Sequence, residues 1–306
     1  MRLNDTWAII KETAGDWSAD KASRLAAALA YYSLLSLAPL LVIVIAIAGF
    51  FLGHDAASGR VAGELGAVVG SEPAQGIQSV VASAHAPSTG LFSTIVGIAT
   101  LFVGASGVFG ELQSSLNTIW EVKPKPGRGI LGELKDRFLS FTMVLGVAFL
   151  LLISLVLSSL LSAIGTRFSG ALPGGEALWQ MINFGFSLAV VTLLFALIFK
   201  YIPDAKIAWR DVWLGAAVTA VLFTIGKFLL GLYLGKAAVG SSYGAAGSII
   251  ALVVWVYYAA QILFLGAEFT QVQARSRGRE IRPNENAVPQ PKAEATQNAP
   301  PRPSGA

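Results

Sequence analysis

Three side chains sit where their chemistry is expensive. Lys227, Gln261 and Glu268 lie inside or at the edge of long apolar runs. A charge or amide in such a run must face water, a counter-charge or a ligand. Gln261 and Glu268 are seven residues apart and so share one helical face, with Tyr257 and Phe264 beside them. Glu268 has two readings: an ion pair at the membrane boundary with an arginine such as Arg210, or a cavity lining able to hold a proton. Lys227 lies about 12 Å inside its run, near the reach of a snorkelling side chain. It either meets an anionic group in the outer half of a cavity, such as a lipid phosphate, or snorkels outward beside Tyr243. Glu268 belongs ~18 Å away in depth, so a direct bridge to Lys227 is not expected. Asn117 suits hydrogen bonds that tie one helix to its neighbour. Pro39 sits mid-run, where it removes a backbone hydrogen bond and kinks the helix. Interrupted spans of this sort also mark transporter binding sites.

Other chemistry is poorly supplied. The 306 residues include no cysteine, which excludes disulfides, a thiol nucleophile and cysteine-ligated zinc or iron–sulfur centres. The two histidines, His54 and His85, lack a ligand cluster, and no carboxylate pair has usable spacing. No catalytic residue, metal or cofactor is expected.

The elements that must position these groups are membrane spans. Hydrophobic residues make up 54% of the chain and charged ones 13%, and mean hydropathy is +0.64. These values belong to polytopic membrane proteins. The fold class expected is all-α, with six transmembrane helices over about 25–52, 91–110, 138–164, 181–201, 212–234 and 247–271. The last follows from Gly247 to Gln271, an apolar run long enough to cross roughly 30 Å of hydrocarbon. Residues 1–24 carry both charge signs, with Leu3, Trp7, Ile10 and Trp17 mostly on one side; they predict an interfacial helix. Residues 53–90 read as a polar outer loop with two short amphipathic helices. The second span's helical pattern continues through Glu111, Gln113, Asn117 and Trp120. Glycines at 97, 104, 107 and 110, and the Gly231/Gly235 pair, offer surfaces for close helix approach. Residues 273–306 are rich in Pro, Asn, Gln and Ala and predict a disordered tail.

Lysine and arginine set the orientation. The N-terminal segment, the second and fourth connections and the tail carry eighteen of them; the other three connections carry one each. Both termini are therefore expected in the cytoplasm. The same count removes nucleic acid as a partner, since topology accounts for the basic excess. Asp204, Arg210 and Asp211 are expected to fix the fourth connection to the headgroup layer.

Several segments line up with one family. Leu29-Ala30-Tyr31-Tyr32-Ser33-Leu34-Leu35-Ser36-Leu37-Ala38-Pro39 resembles the opening motif of the YihY/BrkB family of bacterial inner-membrane proteins. Leu116-Asn117-Thr118-Ile119-Trp120 is similar to its motif after span two, and Trp209 to Ala216 resembles the start of its span five. Lys227 with Tyr233, Tyr243-Gly244, Trp255-Val256-Tyr257 and Gly266-Ala267-Glu268 are similar to its closing motifs. The matches run in order from residue 1 to about 275. Where the family often has a proline early in the last span, this chain has Gly247-Ser248. The resemblance implies six spans in the inner membrane and a role in lipid or envelope traffic. It brings a ribonuclease label as well, which no residue cluster here supports.

Two functions follow as expectations. One is a transporter or flippase-like protein for an amphipathic, anionic envelope lipid, using Lys227, Gln261, Glu268, Tyr257, Tyr243, Asn117 and Pro39, with membrane lipids as partners. The other is a non-transporting scaffold that gathers envelope proteins through its outer loop or tail.

Overall fold

In a computed structural model of the chain, the residues described are 3–36, 107–126, 175–236, 245–279 and 281–290. Pro39, Tyr243, the 53–90 loop, the third expected span and most of the first two lie outside them.

The chain opens with α1, Leu3–Ala19. A corner at Lys21, in the left-handed region at φ 54°, leads to α2 over residues 22–36. Helix α3 covers 107–119 and ends at Trp120 and Glu121, the latter also left-handed at φ 55°. Strand β1 follows, Val122–Pro124. Three long helices come next: α4, Gly175–Tyr201; α5, Trp209–Lys236; and α6, Ala245–Ser276. Between α4 and α5 lies β2, Ala205–Lys206. Within these helices the stretches 180–201, 209–233 and 249–276 are long and apolar enough to cross a membrane. They coincide with the last three expected spans.

Helix α5 is the middle layer, packed on α4 and on α6. Phe223 marks the sandwich: its ring meets Phe195 of α4 at 5.6 Å and Trp255 of α6 at 6.1 Å, both edge to face. The α5–α6 contact is antiparallel and very close. A Cβ at Gly215 would lie 1.7 Å from the Thr270 hydroxyl, and one at Gly266 would lie 1.8 Å from that of Thr219. Only glycine allows this approach. Both threonine hydroxyls are satisfied by donating back to the carbonyls of Gly215 and Gly266. Gly231, expected to serve in such an approach, meets nothing within 4 Å. Small-residue spacing marks where helices could meet; which glycines are used depends on the crossing point.

The core lies at one end of this bundle, which we call the packed end. It gathers Leu29, Leu116, Trp120, Phe199, Val212, Ala216, Phe264 and their neighbours. Toward the opposite, open end, large apolar side chains such as Phe184, Phe228, Leu229 and Ile250 are exposed. Water would penalise that surface, whereas acyl chains match it. At the packed end Tyr201, Trp209 and Trp213 form an exposed aromatic run with ring centroids 6.0 Å apart, and Lys200 lies over Trp209. Such a run suits a membrane–water boundary.

One expectation is corrected here. Part of the tail is ordered: Gly278, at φ 67°, caps α6, with Arg279 and Gly278 donating to the carbonyls of Ala274 and Arg275. The chain then turns back as a strap. Strand β3, Arg282–Pro283, pairs antiparallel with β2, and β4, Ala287–Pro289, pairs antiparallel with β1. Proline content argued for disorder, but short edge strands tolerate proline. In α1 the buried residues are Ile9 and Thr13, set against α6, while Trp7 is 69% exposed. Ile10 is exposed as well, while Trp17 packs against the core.

Candidate functional site

The polar groups fall into two separate sites. At the packed end a stripe runs along α6 with the three–four spacing of one helical face: Gln261, Phe264, Glu268, Gln271 and Arg275. Glu268 is wholly buried and Gln271 nearly so. Gln261 is half-buried, and its amide oxygen has no hydrogen-bond partner. Tyr257 packs against the core beside it. Arg210, the arginine expected to meet Glu268, stands exposed at the start of α5. Next to it, Asp211 is the buried acid. It accepts from Arg279 at 2.5 Å and faces Arg277 at 3.6 Å. It also sits in the first turn of α5, where the helix dipole favours a negative charge.

Arg275 gathers three acids from distant parts of the chain: Asp16 and Glu12 of α1, the second at 3.1 Å, and Glu121 at 3.4 Å. Each such half-exposed pair is worth little, about 0–1 kcal/mol. Their combined effect is to fix how α1, α3 and α6 meet.

Asn117 does tie helices together. Its amide donates to the Asp204 carboxylate at 3.0 Å, and its oxygen accepts the Asp204 backbone N–H at 2.7 Å. Asn284 of the strap donates to the other Asp204 oxygen at 3.0 Å. Asp204 therefore holds α3, the α4–α5 connection and the strap at one point. Asp204 and Asp211, expected in the headgroup layer, are spent on contacts within the chain.

Lys227 lies elsewhere. It is exposed near the open end, on the wall of a groove between α4 and α5 of about 450 Å³. The groove is lined by Phe184, Ser187, Leu188, Thr224, Phe228, Gly231 and Leu232. The residue before Lys227, Gly226, packs under Tyr258 of α6. Lys227 is thus level with Tyr258, ten residues and ~15 Å along the axis from Glu268. The structure does not bring Lys227 and Glu268 into one cavity. Among the described residues no cluster of His, Cys, Asp and Glu could hold a metal ion.

The stripe on α6, the Asp204 knot and the groove are all features of a membrane bundle, and sequence comparison says which one. A family model described as "Virulence factor BrkB" matches residues 13–291. The chain belongs to the BrkB family. That match takes in α2 through the strap, so the ordered part of the tail is part of the family's unit. Among BrkB-family relatives, a UPF0761 membrane protein of Pseudomonas aeruginosa is 32% identical over 180 residues, covering 57% of this chain and 41% of the relative. One from Nitrosospira multiformis is 27% identical over 267 residues, covering 87% and 60%. The chain thus spans less than two thirds of these relatives' own length. A ribonuclease-like protein of Bacillus subtilis, YfkH, is 26% identical over 283 residues, covering 90% of this chain and 98% of the relative. No solved structure matches. The protein is an integral membrane protein of this family.

The sequence reading missed Gln271, the Asp211 pairs and the Arg275 cluster. Gln271 had a signal, since it follows Glu268 on the same face. The partners of Asp211 and Arg275 had none, because they come from segments far apart in the chain.

Proposed function

We propose that this protein handles an amphipathic, anionic lipid of the bacterial inner membrane, as a transporter or flippase-like carrier. In this reading it spans the membrane six times with both termini in the cytoplasm, and the packed end faces the cytoplasm. One observation carries it: Lys227 stands exposed on a membrane-crossing helix, within a groove that is otherwise mostly apolar. A cation at that depth is costly without an anionic partner. The groove has the matching shape of chemistry. Lys227 with the Ser187 and Thr224 hydroxyls suits a phosphate, and Phe184, Leu188, Phe228 and Leu232 suit acyl chains. The buried Glu268–Gln271 stripe then serves as a second polar station nearer the cytoplasm.

The test is lipid retention. Wild-type and Lys227→Ala proteins are purified from the same membranes, and bound phospholipid is quantified by mass spectrometry. Anionic lipid per protein is expected to fall several-fold in Lys227→Ala, with yield and melting temperature near wild type. Equal retention by both proteins sinks the proposal.

A further inference from the structure

The cations at the packed end fall into two groups. Arg275, Arg277 and Arg279 each meet an acid of the chain. Lys206 and Arg210 do not. Both are exposed, and among the described residues neither side chain has an ionic or hydrogen-bond partner. The acids beside them in sequence are already committed: Asp204 to Asn117 and Asn284, Asp211 to Arg277 and Arg279. Lys206 also stands directly opposite Arg282 in the β2–β3 pair, both of them exposed. Like charges in that register repel. Lys200 adds a further cation, held by the carbonyl of Ile207 at 2.5 Å and lying 5.9 Å from the centre of the Trp209 ring. An anion in front of this patch relieves the repulsion.

Its position decides which anion. The exposed rings of Tyr201, Trp209 and Trp213 stand beside it, where α4 ends and α5 begins its apolar stretch. Indoles at such a boundary lie at headgroup depth. Beyond them α5 turns Leu214, Val221, Leu222 and Ile225 outward. Trp213 to Ile225 measures about 18 Å, roughly one leaflet of a 30 Å core. A soluble anion would use the cations and leave that apolar track bare; a phospholipid uses both. With Asp204 and Asp211 engaged and Lys200 over Trp209, a headgroup ammonium finds no partner, so a lipid of net negative charge is selected. We propose that Lys206 and Arg210, with the Trp209 and Trp213 indoles, bind the phosphate of an anionic phospholipid in the leaflet at the packed end, its acyl chain lying along α5. Arg210 supplies a fork for two phosphate oxygens and Lys206 a point charge. Arg210 lies about 25 Å along α5 from Lys227, and the site does not rest on the reading of that groove.

The experiment uses the full chain in nanodiscs of phosphatidylcholine with increasing phosphatidylglycerol, and thermal midpoint is the readout. A saturable rise of several degrees is expected for wild type and equally for Lys227→Ala. The double variant Lys206→Gln with Arg210→Gln should lose most of that rise, and Arg210→Gln alone a smaller part. The charge-keeping pair Lys206→Arg with Arg210→Lys should retain it. In pure phosphatidylcholine discs all of these variants should melt with wild type, since the replaced side chains are exposed. Inorganic phosphate and a short RNA oligonucleotide, added to those pure discs at constant ionic strength, stand for soluble anions. A rise with either that the double variant abolishes gives the patch to a soluble ligand and overturns the proposal. So does an equal rise in wild type and double variant, a rise that Lys227→Ala removes, or no rise with phosphatidylglycerol at all.

Discussion

Glu111 stands one residue past the expected second span, half-buried on α3. Burial raises its pKa above the ordinary carboxylate value, and the Ser115 hydroxyl at 3.5 Å works weakly in the other direction. A carboxyl whose pKa is higher in the fold than in the unfolded chain destabilises the fold when ionised. Below about 4.5, the ordinary value, it is protonated in both states and costs nothing; the cost grows as pH rises through the folded pKa. Glu111→Gln imitates the protonated form. It should raise the melting temperature at pH 7, and the gain should vanish as pH falls below the ordinary carboxylate range. A gain that does not depend on pH would contradict the burial argument. At this scale the sequence was partly legible. That Glu268 would be tolerated in a span and Asn117 would tie helices followed from cost and residue type. That Asp211 would pair with Arg277 and Arg279 did not, since an ion pair depends on both ends' positions.

The helices were legible in their length and apolar character, but their contact points were not. Gly215 and Gly231 look alike in sequence, each in the same span and each with small or apolar neighbours. Only Gly215 lies at the crossing with α6, under Thr270. Gly215→Ala forces the Thr270 side chain or the helix to shift, a cost of about 1–3 kcal/mol by analogy with overpacked cores. Gly231→Ala meets open space and should be neutral or stabilising by up to ~1 kcal/mol through helix propensity. Melting temperatures of the two variants in the same detergent decide it. Equal losses would mean that the close α5–α6 approach does not exist. The strap illustrates the same limit. Its prolines fit disorder equally well until β1 and β2 are seen to offer edges for it.

For the whole molecule, the absence of cysteine makes orientation directly measurable. Lys206, between α4 and α5, and Lys236, at the end of α5, lie on opposite faces of the membrane if the basic residues mark the cytoplasm. An impermeant maleimide added to intact cells should label Lys236→Cys at once and Lys206→Cys only after lysis. The reverse pattern would invert the proposed orientation. Charge counting and hydropathy need no neighbours, because a span's length and the sign of its flanks are local properties. The amino-acid sequence therefore determined that this is a membrane protein, where its last three long helices run, and that Lys227 and Glu268 are far apart. Tertiary structure alone decided that Lys227 faces outward into a groove between α4 and α5, that Arg275 and Asp204 knot remote segments together, and that the strap pairs with β1 and β2. Those outcomes depend on which faces meet across hundreds of residues of chain, and residue spacing carries no record of that.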